Sequence, residues 1–145
     1  MATARMMAPM DTTIPADTIA AYLAADFIVD GDPSFVMHIG ERCEALAMLG
    51  IARCAFITAY NPLGESTDEA TNGRRQQDFA RMLTQRGLVW LTGAGCDPKQ
   101  EWTAEPSLLV RDLPLDDAKA IGRQLRQNAI VWCGPDHVPQ LILLR

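Results

Sequence analysis

The stretch that decides the fold is CAFITAYNPLGESTDE, Cys54 to Glu69. Its first seven residues, CAFITAY, are apolar or β-branched and read as a buried strand. Pro62 and Gly64 break that strand. Ser66-Thr67-Asp68-Glu69 then supplies the Ser-x-x-Glu pattern of a capping box, which opens a helix. The helix is predicted to run to Arg86, with Gly87 as its left-handed terminator. A strand that feeds directly into a helix is the first half of a βαβ unit.

The residues downstream complete it and begin another. Leu88-Val89-Trp90-Leu91 reads as a strand, GAGCDPKQEW as a loop, and Ser107 to Arg111 as the next strand. A helix is predicted over 115–127, with Asp116 and Asp117 favourable in its first turn and Ala118, Ile121 and Leu125 on its buried face. The strands AIVWC and LILLR follow. Upstream, IAAYLAADFIVDGDP is a short helix running into a strand, or mostly strand; periodicity does not choose. Gly31-Asp32-Pro33 turns the chain into a strand over 34–39, giving a hairpin. Cys43, Leu46 and Leu49 have helical spacing, stopped by Gly50. Residues 1–17 are expected to form a flexible N-terminal tail, and 18–145 one α+β domain. The predicted architecture is a single-domain mixed β-sheet with about three helices packed mainly on one face, connected in split βαβ fashion.

Composition bounds the function. The 145 residues are 48% hydrophobic and 21% charged, with net charge −5, the balance of an ordinary globular domain. No basic stripe is available to neutralise phosphates, so nucleic acid is excluded as a partner. Arg74, Arg75, Arg81 and Arg86 read as a solvated helix face. No apolar run approaches the roughly 20 residues of a membrane span, and no signal peptide is visible. Cys43, Cys54, Cys96 and Cys133 show no Cys-x-x-Cys pairing and are expected to be reduced thiols. A cytoplasmic location is expected.

Polar residues fall where apolar ones belong. Asn72, Phe79 and Leu83 stand at i, i+7 and i+11 of the predicted helix, which puts Asn72 on the core stripe. A buried amide without partners costs roughly 1–3 kcal/mol, so Asn72 ties down the Asn61-Pro62 loop or contacts a ligand. Pro62 is expected to hold Asn61 extended and to bring it beside Asn72. Strand alternation places Glu105 and Ser107 on one face, at a strand mouth where a carboxylate can serve as general base. Trp102 would wall that carboxylate and raise its pKa by desolvation. Gln127 adds two donors and an acceptor at a helix end; Asn128 reads as a left-handed cap.

Taken in order, Thr58-Ala59-Tyr60-Asn61-Pro62, Asn72, Trp102-x-x-Glu105-Pro106-Ser107 and Gln127-Asn128-Ala129-Ile130-Val131 resemble an uncharacterised bacterial family, domain-of-unknown-function family 3293, over about residues 22–142. The family often has Trp where this chain has Tyr60, and Gly where it has Arg126. The resemblance implies no reaction. It does imply that Thr58, Asn61, Asn72, Glu105, Ser107 and Gln127 belong to the family pattern.

Other chemistries find no support. Gly93-Ala94-Gly95 is followed by Pro98 and opens no helix, so the dinucleotide fingerprint fails, and no Walker motif occurs; no cofactor is expected. Cys133-x-x-x-His137 lacks the paired knuckle of a zinc site, so no metal is expected. Cys96 is the more plausible reactive thiol by its loop position. The leading expectation is a polar small-molecule site at the strand ends, with Thr58, Asn61, Asn72, Ser107 and Gln127 as ligand-binding residues. Glu105 is its catalytic acid/base, for metal-free hydrolysis or proton transfer. The competing expectation is a non-enzymatic domain that self-associates or binds a protein partner, with the polar set as a structural network and LILLR as an edge-pairing strand.

Overall fold

A computed structural model of the chain describes residues 12–145 and, before them, the backbone of the short strand β1 (Met6–Met7). There follow α1 (Ala16–Ala24), β2 (Asp26–Val29), β3 (Phe35–Met37), α2 (Glu44–Met48) and β4 (Cys54–Ile57). After a tight turn at Pro62–Gly64 come α3 (Glu69–Gln85), β5 (Trp90–Cys96), β6 (Glu105–Arg111), α4 (Leu115–Gln124), β7 (Ala129–Cys133) and β8 (Gln140–Leu143). The strands form one sheet in the order β1-β8-β7-β4-β6-β5-β2-β3.

The centre of that sheet carries the expected connectivity twice. β6 lies antiparallel to both β4 and β5, so β4 and β5 are parallel, joined by α3 and split by β6. In the same way β4 separates β6 from β7, and α4 joins that second parallel pair. The result is a βαββαβ unit of the split type, widened by β2–β3 on one side and by β8 and β1 on the other. β1 pairs with β8 in parallel and all other pairs are antiparallel, so the sheet is mixed and the class α+β.

Strand alternation divides the core into two layers. Ala55, Ile57, Leu108, Val110, Ile130 and Ile142 face α3 and α4, meeting Phe79, Leu83, Ala118 and Ile121. Cys54, Phe56, Leu109, Val131, Leu141 and Leu143 face the opposite side. There the two shorter helices, α1 and α2, complete the cover through Ile19, Tyr22, Leu23 and Leu46.

Several elements differ from the sequence expectation. The capping residue of α3 is Asp68, whose side chain accepts from Thr71 N, so the helix starts after the Ser66 pattern. β5 continues through Gly93-Ala94-Gly95, which were read as loop. It does so because β2 and β6 flank it on both sides, and Gly93 is required since a Cβ there would collide with the Ile28 carbonyl oxygen and press on Phe56. α4 stops at Gln124, and the left-handed residue after it is Arg126 (φ 59°), with Asn128 elsewhere employed. LILLR is not a free edge, because β1 pairs along β8. The tail expected over 1–17 falls largely outside the described residues; within them, Ile14 is buried and α1 begins at Ala16. No helix among the described residues is long and apolar enough to cross a membrane.

Candidate functional site

The α1 side of the sheet is hollow at one end. Where β2, β4, β5, β6 and β7 reach their ends near α1, the inward residues are small: Ala25, Gly95, Ser107 and Ala129. Around them Phe27 and Phe56, packed edge-to-face with centroids 5.4 Å apart, hold the walls open. The chamber measures about 90 Å³, room for several waters by the usual measure of one per roughly 10–15 Å³ of such space. A larger and more polar cleft of about 560 Å³ lies outside it. Tyr22, Asn61, Gly64, Trp102 and Glu105 line both spaces and so form the neck between them.

Glu105 is the charged group of that neck. As the first residue of β6 it shares the neck with Trp102, and no described residue donates a hydrogen bond to its carboxylate. Burial without a compensating partner disfavours the ionised form, and it pushes the Glu105 pKa up to about 7. Trp102, expected from sequence to shield this carboxyl, lines both spaces with it.

The other polar residues divide by what they hold. Thr58 Oγ1 donates to Pro106 O at 2.7 Å and accepts from Tyr60 N at 3.0 Å, stitching the end of β4 to the start of β6. Ser107 Oγ donates to Glu105 O at 3.0 Å. Asn72, fully within the α3 stripe, accepts from Asn61 N and donates from Nδ2 to Asn61 Oδ1 and Thr67 O. Asn61 Oδ1 also accepts from Thr67 N, while its Nδ2 has no partner among the described residues. Gln127, 8% exposed, donates from Nε2 to Tyr60 O at 3.0 Å; its Oε1 has no partner among the described residues. Thr58, Asn61, Glu105, Ser107 and Gln127 all line the inner chamber, and Asn72 lines the outer cleft.

The loops that carry this set are wound tightly. Asn61 is not extended, as its place before Pro62 suggested, but left-handed (φ 46°, ψ 64°). In that conformation its carbonyl accepts from Gly64 N and its side chain reaches Thr67, and Asn tolerates the region better than other L-residues. Leu63 and Gly64 are also left-handed. Leu63 N donates to Arg126 O at 2.7 Å, which ties this turn to the end of α4.

One residue of the wall, Tyr22, and the Asn128–Arg145 pair behind it were not given these places from sequence. Tyr22 of α1 overhangs the neck, and its hydroxyl accepts from Asn128 Nδ2 at 3.3 Å; burial raises its pKa, as does the Glu105 charge to a lesser degree. Asn128 Oδ1 in turn accepts from Arg145 at 2.8 Å. The available signal was Ile19, Tyr22 and Leu23 at i, i+3 and i+4, which marks one helix face. Other candidates lie apart. The His38 ring sits between Asp26 and Glu41 at the β2–β3 edge, and His137 bonds Ile51 O. Cys96 is not an activated thiol, because burial and then the Asp26 charge raise its pKa.

Fold and site together define a small α+β protein, a doubled split βαβ sheet with a two-chambered pocket at its strand ends. The chain belongs to the family described as Protein of unknown function (DUF3293), whose model matches residues 57–130, a narrower span than the resemblance suggested. Every residue from Thr58 to Gln127 named in the pattern lies inside that match. No curated protein and no solved structure matches the chain.

Proposed function

We propose that the protein binds a small molecule across the neck and uses Glu105 as the proton-transferring group. One observation carries the reading: a carboxyl without a hydrogen-bond donor stands where an apolar chamber opens into a polar cleft. A purely structural carboxylate would be expected to find donors, since leaving one unpaired in a partly buried position costs stability. A group whose pKa lies close to neutrality can give or take a proton at working pH. Gln127 Oε1 and Asn61 Nδ2 add an acceptor and a donor within the same lining, suited to orienting a polar ligand.

A second reading applies to part of the set. The mutual bonds of Asn61 and Asn72, and the bridge from Thr58 to Pro106, are satisfied internally. They support a role in shaping the loops, with ligand contact falling to Glu105, Gln127 and the free amide of Asn61.

The test is a thermal-shift screen of nucleotides, amino acids, amides, amines and small carboxylates on wild type and Glu105→Gln. A ligand that binds only the folded state adds about 2.7 kcal/mol at 100 times its dissociation constant. A hit that weakens in the variant supports the site. A panel without shifts, on a variant as stable as wild type, refutes it.

A further inference from the structure

The lining of the two spaces is uneven in charge. Asp17 and Glu69 join Glu105 along them, and no lysine, arginine or histidine among the described residues does. Arg145, whose charge reaches Tyr22, is turned onto Asn128 Oδ1 and lines neither space. Part of the acidic set is already engaged: Glu69 accepts from Tyr60 Oη at 2.8 Å, and Asp17 from Thr18 N at 2.9 Å. Glu105 is not.

Hydrogen-bond capacity leans the same way. Gln127 is more than nine-tenths buried, and its Nε2 is committed to Tyr60 O, which fixes the amide with Oε1 towards the chamber it lines. Ser107 Oγ spends its proton on Glu105 O and keeps its lone pairs. The neck and the chamber behind it therefore offer unpaired acceptors, Glu105 at the neck and Gln127 and Ser107 in the chamber lining. Against them stand the Asn61 amide and the Tyr22 hydroxyl proton as donors. A ligand group that satisfies this surplus carries several N–H donors and a positive charge. Phosphates and carboxylates would meet the Glu105 charge with no cation to offset it. Trp102 and Tyr22 also line the neck, and aromatic rings are compatible with a cationic group.

The inner chamber sets the remainder of the ligand. It is walled by Phe27, Phe56, Val131 and Leu141 and measures about 90 Å³, smaller than the roughly 150 Å³ cavity that accommodates benzene. That size is nearer to a short branched alkyl group than to an aromatic ring.

We infer that the site selects a primary ammonium attached to a short branched alkyl group, with the alkyl group in the chamber and the ammonium at the neck against Glu105 and Gln127. This deepens the proposed function and rests on it. The step is binding alone: no bond forms or breaks, and the ammonium keeps its protons.

The test uses three probes of one shape and different charge: isobutylamine, isobutyramide and isobutyrate. Binding to the full chain is followed by the side-chain amide resonances of Gln127 and Asn61 in ¹H–¹⁵N spectra, at neutral pH and low salt. Dissociation constants in the millimolar range suit ligands of this size. The amine is expected to bind at least about tenfold more tightly than the amide, the weight of a charged hydrogen bond, and isobutyrate not to bind. Glu105→Gln is expected to abolish that preference. Ala129→Leu, which fills the chamber, is expected to weaken amine and amide alike. If the amide or the carboxylate binds as well as the amine, the charge inference is overturned and the site reading stands. If no probe moves either resonance, both fall.

Discussion

Asn61 and Asn72 each hold the other: the Asn61 backbone N–H donates to Asn72 Oδ1 at 3.0 Å, and Asn72 Nδ2 donates to Asn61 Oδ1 at 2.9 Å. The pair joins the left-handed turn after β4 to the first turns of α3, and it positions one wall of the neck. Asn72→Ala leaves Asn61 N and Thr67 O, both half-buried, without these partners. It is expected to lower stability by about 2 kcal/mol, measured by urea denaturation. A loss below about 0.5 kcal/mol would show that water replaces the amide without cost.

Glu105 makes stability depend on pH with a sign opposite to that of a salt-bridged acid. Its pKa rises from the ordinary 4.5 to about 7 on folding, so the folded state holds the proton more tightly. Stability from this group is complete below pH 4.5 and is lost as pH rises through about 7. Tyr22 and Asp17 from α1, Glu69 from α3 and Trp102 share the lining with it, and Arg145 stands behind Tyr22. Glu105→Gln removes the dependence. The variant is expected to gain on the order of 2 kcal/mol over wild type at pH 8 relative to pH 4.5. Urea midpoints of both proteins at the two pH values check this, since other carboxylates cancel in the difference.

Trp102 is the shield in that account. Trp102→Ala opens the neck to water and is expected to return the Glu105 pKa towards the ordinary carboxylate range. A ¹³C titration of the Glu105 carboxyl carbon measures it directly. A midpoint that stays near neutrality would assign the desolvation to Tyr22 and the phenylalanines instead.

The left-handed residues allow two opposed expectations. Arg126 is exposed at φ 59°, a conformation that strains an L-residue by about 1–2 kcal/mol. Arg126→Gly relieves that strain against some loss of chain stiffness, for an expected net gain of about 0.5–1 kcal/mol. Gly64, at φ 74°, has Asn128 Nδ2 only 2.8 Å from where a Cβ would stand. Gly64→Ala is expected to cost about 2 kcal/mol or more. Both are read from thermal or urea unfolding.

Local signals made much of this molecule legible before any coordinates. The buried stripe of Asn72, Phe79 and Leu83 and the doubled strand-helix-strand order stand as read, and the strand from Cys54 is present but ends at Ile57, short of the Tyr60 expected. What escaped depends on partners far away in sequence. Gly93 to Gly95 looked like loop because glycine weakens an isolated strand, whereas β2 and β6 hold it from both sides. Asn128 looked like a cap because its distant partners, Tyr22 and Arg145, leave no local trace. The site residues fall between these cases. Their types and order were visible, but Glu105's lack of donors is a statement about everything around it.

The walls of the inner chamber differ in strength. β4 and β6 are each hydrogen-bonded along both sides, while α1 has no fully buried residue and rests on half-buried side chains. Regions so held open at lower free energy than the sheet core. The nine-residue α1, pinned through the Tyr22–Asn128 bond, is therefore the wall of the chamber expected to open first. Loosening that wall and altering the Glu105 carboxyl are thus separable by substitution.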